Sequence, residues 1–349
     1  MTTIESLLSA LELQWLVCTF LLFAVVIAVS GTRLTGVADR LADRGGFGEA
    51  LTGGVLLGAV TSISGTVLSV SAALAGEAEL ALANAYGGIA VQTVFLAIAD
   101  ASYRRVNLEH AAASAENILL GSLLVCLLAI LLIASYTPAW SLWGVHPATP
   151  VLLLSYAYGI RLVYRARVQP MWRPEQTLET RSDIPEPGNQ RQRLAPLLVS
   201  FACLGGVLAC SGWLLQIVAS NLVVQSGLSA LLVGALFTSL ATSLPELVTT
   251  VAAVRRGALT LAFSAIIGGN AYDTLFAAFA DIAYRPGSIY HAGDSQLLFW
   301  LATSILMSGV LIMGMLVREK RGVANIGFES VVVLVIYILA VAMAVLAQG

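Results

Sequence analysis

Two acidic side chains, Glu246 and Asp273, stand inside stretches otherwise dominated by Ala, Leu, Ile, Val and Phe. The first belongs to Thr242-Ser243-Leu244-Pro245-Glu246-Leu247 and the second to Gly268-Gly269-Asn270-Ala271-Tyr272-Asp273. A carboxylate at the middle of a membrane span costs about 2.5–3.5 kcal/mol on insertion scales, so such residues are functional candidates. Pro245 lacks an amide hydrogen and frees a backbone carbonyl one turn earlier, near Ala241. Carboxylates, the hydroxyls of Thr242 and Ser243, and bare carbonyl oxygens are what a hard cation binds. Thr242 and Glu246, four apart, share a helix face, and Asn270 and Asp273, three apart, point the same way. The paired glycines Gly268 and Gly269 permit close helix approach or local unwinding. The expected chemistry is cation binding in an oxygen-rich pocket on adjacent broken spans, with Glu246 and Asp273 as the metal-ligating acids.

The elements that position these residues follow from composition. Of 349 residues, 58% are hydrophobic and 11% charged, against about a quarter charged in soluble domains. Apolar stretches long enough to cross a bilayer fall near 11–30, 50–75, 80–99, 116–136, 149–166, 194–218, 229–254, 259–280, 295–317 and 326–347. They lack the alternation of a barrel, so each is expected to be a helix. The fold class expected is an all-α polytopic membrane protein with ten transmembrane helices, which leaves no room for a large extramembrane catalytic domain. Of the 18 Lys and Arg residues, 17 fall on one side of this arrangement and only Arg285 on the other. The positive-inside rule then puts both termini outside and the Arg-rich loops in the cytoplasm. The polar stretch 169–193 reads as a cytoplasmic linker between a first half, 1–168, and a second, 194–349.

The chain also repeats itself. A shift of 181 residues lays Thr61–Arg104 over Thr242–Arg285 without a gap, with 18 of 44 pairs identical. Gly87-Gly88 falls over Gly268-Gly269, and Ala99-Asp100-x-x-Tyr103-Arg104 over Ala280-Asp281-x-x-Tyr284-Arg285. The repeat cores span about 50–105 and 231–286. Five spans is an odd number, so the second half enters the membrane from the opposite side. Inverted repeats of this kind build secondary transporters, with a site near the midplane where the two halves meet.

Thr-Ser-x-Pro-Glu at Thr242–Glu246 and Gly-x-Asn-x-x-Asp at Gly268–Asp273 resemble the second α-repeat of the cation/calcium antiporter superfamily, the sodium/calcium exchangers and their microbial relatives. The resemblance implies two inverted five-helix halves and exchange of Ca2+ against Na+ or H+. It carries ion-ligand roles onto Thr242, Ser243, Glu246 and Asp273, with Gly269 where the family usually has a serine. The first repeat departs from that pattern. It reads Thr61-Ser62-Ile63-Ser64-Gly65, without the Pro and Glu, and has Ile89 and Gln92 opposite Asn270 and Asp273. Its contribution is reduced to Thr61, Ser62, Gln92 and backbone oxygens. Two carboxylates can neutralise one Ca2+, or one monovalent ion plus a proton, but suit several Na+ ions poorly in a low-dielectric site.

The expectation is a cation antiporter of reduced stoichiometry in the plasma membrane, embedded in the lipid bilayer, moving inorganic cations and using no cofactor and no nucleic acid. A non-transporting sensor or scaffold that keeps the fold is the first alternative. A membrane-embedded enzyme is the second, although no nucleophile–base or H-E-x-x-H pattern occurs. Asp100 and Asp281 read as interfacial helix-end residues, Asn84 and Glu116 as packing or interface, and Glu49 and Glu329 as solvated span ends. His110, His146 and His291 fall in loops or at interfaces, and Trp140, Trp143 and Tyr290 fit an interfacial aromatic belt. The four cysteines sit in apolar runs without metal-ligand spacing.

Overall fold

The computed structural model describes residues 3–45, 58–103, 106–168, 194–320, 322 and 326–347. The linker 169–193, Glu49, the start of the second apolar stretch, Arg104 and Arg105 lie outside the described residues. Helices follow in the order α1 (Thr3–Ser9), α2 (Leu13–Gly45), α3 (Gly58–Thr61), α4 (Ile63–Leu74), α5 (Ala78–Ser102), α6 (Leu108–Ala112), α7 (Ala115–Ala134) and α8 (Ala148–Val168). After the linker come α9 (Leu194–Ser226), α10 (Ala230–Leu232), a π-helical segment (Val233–Thr238), α11 (Ser239–Thr242), α12 (Leu244–Arg256) and α13 (Leu259–Ala283). A 3₁₀ turn (Ile289–His291), α14 (Ser295–Val317) and α15 (Phe328–Leu346) complete the chain. No strand occurs among the described residues.

Each of the ten apolar stretches carries a helix. Among the described residues, six helices are long and apolar enough to cross a membrane: α2, α5, α7, α9, α14 and α15. Ala230–Thr242 and Leu244–Arg256 pass the same test as one span bent by 46°. α8 and α13 are long helices of 21 and 25 residues, and α4 is a shorter apolar one.

The 181-residue interval reappears in the helix borders. Leu13–Gly45 corresponds to Leu194–Ser226, Gly58–Thr61 to Ser239–Thr242, and Ala78–Ser102 to Leu259–Ala283. α4 and α12 end alike, on Gly76 and Gly257 with φ of 84° and 86°. The next amide closes back on the helix in both, Glu77 N to Ala72 O at 2.8 Å and Ala258 N to Ala253 O at 3.0 Å. That left-handed stop is one only glycine adopts readily.

Hydrogen bonds repeat at the same interval. Asp100 accepts from Leu108 N (2.8 Å) and Gly327 N (3.0 Å), and Asp281 from Ile289 N (3.2 Å) and His146 N (2.8 Å). His110 Nδ1 meets Arg318 O at 2.7 Å, and His291 Nε2 meets Thr137 O at 2.5 Å. Each aspartate therefore ties the end of its own long helix to the other half. Both sit in the last turn of their long helices, as expected of helix-end residues, and are fully buried there. Carboxylates that satisfy loop amides can be buried where solvated ones cannot. Glu329 is also fully buried, not solvated, and Tyr290 is buried against Thr149 (2.7 Å) and not in an aromatic belt. Trp140 and Trp143 are exposed as expected.

α5 and α13 pack against each other at the centre, with α4, α12 and the π-helical segment around them. α2 and α9 form a separate layer with its own apolar core of Leu16, Ile27, Leu34, Leu208, Leu215 and Val218. Both run 33 residues, about 50 Å at 1.5 Å per residue, more than the roughly 30 Å of a hydrocarbon core.

Candidate functional site

The site is built where four helix ends and two helix middles meet. The break at Ser62 between α3 and α4, and that at Ser243 between α11 and α12, bring Thr61-Ser62 and Ser243 against the middles of α5 and α13. Pro245 stands in the first turn of α12, the helix position where a missing amide hydrogen costs least. Its ring seats on Gly31 of α2, where a β-carbon would overlap it.

Asp273 is the hub. It accepts from Ser62 Oγ at 2.5 Å and from Gln92 Nε2 at 2.6 Å, and Gln92 Nε2 also donates to Ser243 Oγ at 3.0 Å. Ser62 and Ser243 are repeat mates, as are Gln92 and Asp273. The Ser62–Asp273 and Ser243–Gln92 bonds are thus two copies of one contact across the seam. The second copy carries a carboxylate where the first carries an amide.

Glu246 lies beside this chain, buried at 4% exposure, with the Thr61 hydroxyl, which donates to Gly58 O at 3.1 Å, within hydrogen-bond reach of it. Asp273 is close enough for the two acids to repel each other. Both acids therefore point inside the protein and toward one cluster. Asn270 extends it, donating from Nδ2 to Thr93 Oγ1 at 3.0 Å. Three buried side-chain oxygens, Glu246 Oε2, Gln92 Oε1 and Asn270 Oδ1, accept no hydrogen bond. Among the described residues no three His, Cys, Asp or Glu side chains converge to hold a metal by themselves. A cation at this position would draw on two carboxylates together with amide and hydroxyl oxygens.

The Thr242 hydroxyl donates back to the carbonyls of Thr238 (2.9 Å) and Ser239 (3.2 Å), and the helix is interrupted at Ser243, between Thr242 and Glu246. Of the two roles expected for Gly268-Gly269, local unwinding is not seen, because α13 runs unbroken through the pair. The glycines serve close approach instead. A β-carbon on Gly58 would stand 2.8 Å from Gly269 Cα, and one on Gly87 would overlap the Ala235 backbone. One on Gly88 would stand 3.9 Å from Asp273 Oδ2, so Gly88 borders the site.

The missing first-repeat glutamate has a structural counterpart. A β-carbon at Gly65 would stand 2.8 Å from the Phe276 ring, so an aromatic edge fills the place a side chain would need. Sequence reasoning overlooked Thr93 and Thr250. Thr93 was visible as an identity of the repeat, and Thr250 as a polar residue one helical turn, four positions, beyond Glu246. Thr250 is buried with no partner for its hydroxyl.

A cavity of about 160 Å³ reaches the site from one side. Glu246, Thr61 and Thr250 line it together with Thr35 of α2 and Arg256 at the end of α12. Arg256 is ten residues from Glu246, about 15 Å along a helix.

A family model described as sodium/calcium exchanger protein matches residues 15–166 and 196–346. The "Putative antiporter CaxA" of Alkalimonas amylolytica is 26% identical over 305 residues, covering 86% of this chain and 92% of that protein. Among solved structures, the H+/Ca2+ exchanger CAX superposes with a TM-score of 0.66 at 14% identity, over 95% of this chain and 86% of that one. The sodium-calcium exchanger NCX_Mj soaked with Na+ and Sr2+ gives 0.59 at 16% identity, over 95% and 99%. At these identities the structures share the fold.

Proposed function

The chain belongs to the sodium/calcium exchanger protein family, a family of multi-pass membrane transporters, and on that premise we propose that it is a secondary active antiporter with a reduced ion site. In this reading ten spans form two inverted halves, 1–168 and 194–349, joined by the cytoplasmic linker 169–193. Both termini face outward across the plasma membrane. One Ca2+, or a monovalent cation, binds between Glu246 and Asp273 with help from Thr61, Ser62, Gln92, Ser243 and Asn270.

The observation that carries the proposal is the Ser62–Asp273–Gln92–Ser243 chain, which joins the two repeats through polar groups buried at their seam. Buried acids without a counter-charge are costly, and a divalent cation balances both. When it leaves, protons can take its place on the same oxygens, which favours H+ over several Na+ ions as the coupling ion. Phe276 at Gly65 supports a reduced stoichiometry, since no third acid fits there without displacing the ring. The cavity from Glu246 to Arg256 fits a state open to the Arg-rich side.

The relatives bear on the choice of ions. One similar fold is that of an H+/Ca2+ exchanger and another that of a sodium-calcium exchanger. The test is ion flux in proteoliposomes loaded with Ca2+ under an imposed pH or Na+ gradient, comparing wild type with Glu246→Gln. Flux driven by the pH gradient and abolished by the substitution supports the reading. Flux that Glu246→Gln leaves intact removes the site assignment.

A further inference from the structure

The near-symmetry of the fold supplies an internal control for a second acidic cluster, outside the Glu246–Asp273 site. At the end of α13, Asp281 is framed by Ile289 N, His146 N and the Thr149 hydroxyl at 2.6 Å. The neighbouring positions are Ser288, Tyr290 and Ala148. At the end of α5, Asp100 is framed by the corresponding Leu108 N and Gly327 N. There the neighbouring positions carry Asn107, Glu109 and Glu329. One end is thus built without further acids, so the frame does not require Glu109 or Glu329.

Both added carboxyls are fully buried, and they lie within hydrogen-bond reach of each other. Neither oxygen of Glu109 accepts a hydrogen bond, nor does Glu329 Oε2. Asn107 donates from Nδ2 to Glu329 Oε1 at 2.5 Å, and its own Oδ1 is buried without a partner. The room is made for Glu329: β-carbons on Gly314 or Gly327 would run into its side chain. Both oxygens of Asp100 are occupied by the loop amides. The nearby Arg318 guanidinium donates to the His110 carbonyl at 3.1 Å.

The geometry points to a second cation site, in which Glu109, Glu329 and the Asn107 side-chain oxygen hold one divalent cation. Four buried oxygens have no hydrogen-bond partner, and a single proton shared between Glu109 and Glu329 would engage two of them and leave the other two unmet. Two carboxylates balance a divalent charge, and an amide oxygen is an ordinary ligand for such an ion. The site is separate from the transport site. Glu109 lies beyond the end of α5, whose Gln92 is ten residues before Ser102, about 15 Å along the helix. Its place on the Arg-rich face suits a cation that acts on transport from the cytoplasm without being carried.

The experiment is equilibrium binding of radioactive Ca2+ to the full chain in detergent, in a Glu246→Gln/Asp273→Asn background. One Ca2+ per chain is expected there, lost when Glu109→Gln and Glu329→Gln are added. In the wild-type background the same pair of substitutions should lower the bound Ca2+ by one per chain. Because Gln removes buried charge while keeping shape, the Ca2+-free melting temperature should stay level or rise, whereas a purely structural role predicts a fall. The inference is overturned by no bound Ca2+ in the transport-site variant, or by binding that survives loss of both glutamates. It is overturned equally by a melting temperature that responds to pH through Glu109 but to no divalent metal, which would identify a shared proton instead.

Discussion

Replacing Asp273 by Asn separates ion binding from folding, and the structure sets the size of each effect. Asp273 accepts hydrogen bonds from Ser62 at 2.5 Å and Gln92 at 2.6 Å. Bonds to an ionised acceptor are worth about 1.5–3 kcal/mol each, against about 0.5–1.5 for neutral pairs. An Asn here keeps a carbonyl oxygen for Gln92, and its amide can donate to Ser62, whose hydroxyl then accepts. Both contacts survive in neutral form. Their weakening, about 2–3 kcal/mol in total, is largely offset because a charge is no longer buried. The expected net loss is about 1 kcal/mol, a shift of a few degrees in melting temperature. The cation loses much more. A unit charge on each partner at about 4 Å and an effective dielectric near 20 is worth about 4 kcal/mol, and the double charge of Ca2+ doubles it, so the loss is at least roughly a thousandfold in affinity. Thermal unfolding in detergent and Ca2+ flux in proteoliposomes read the two quantities on the same preparation. Flux within twofold of wild type at sub-saturating Ca2+, with a normal melting temperature, would refute the reasoning.

Further outcomes follow from individual contacts. Thr61→Val should weaken cation affinity about tenfold, because the Thr61 hydroxyl meets Glu246. Thr242→Val should change it less than twofold, because that hydroxyl is turned to Thr238 and Ser239; titrated Ca2+ flux separates the pair. Gly87→Ala drives a methyl into the Ala235 backbone and should cost about 1–3 kcal/mol, read as a lowered melting temperature. Asp281→Asn keeps only one oxygen for the Ile289, His146 and Thr149 donors. It should destabilise by about 2–4 kcal/mol, and an unchanged melting temperature would contradict the frame described above. Burial pushes Glu109 well above its ordinary value of 4.5, with Asp100 and Glu329 adding repulsion. A raised acid is protonated in the fold at pH values where the unfolded chain has lost the proton. Stability in metal-free buffer should therefore fall as pH rises above 4.5 toward the shifted value, and Glu109→Gln should flatten that part of the curve.

Much of this molecule was legible in its sequence because lipid is an unforgiving solvent. Helices were read wherever apolar runs were long, since unpaired backbone groups have no partner there. Glu246 and Asp273 stand out for the same reason, and the 181-residue repeat by itself pairs Ser62 with Ser243 and Gln92 with Asp273. Tertiary structure decided what those groups touch. Helical spacing put Thr242 beside Glu246, but only the fold brings up Thr61, 185 residues away, within hydrogen-bond reach of the same acid. Nothing local marks Phe276 as the filler of the Gly65 site, or Asp100 as a partner of Gly327. Glu329, at a span end, looked destined for water until Gly314, Gly327 and Asn107 were seen to enclose it. The cost of burying a charge depends on residue type and depth, which a sequence carries. Its satisfaction depends on donors brought from the other half of the chain, and only the folded arrangement of the two halves supplies those.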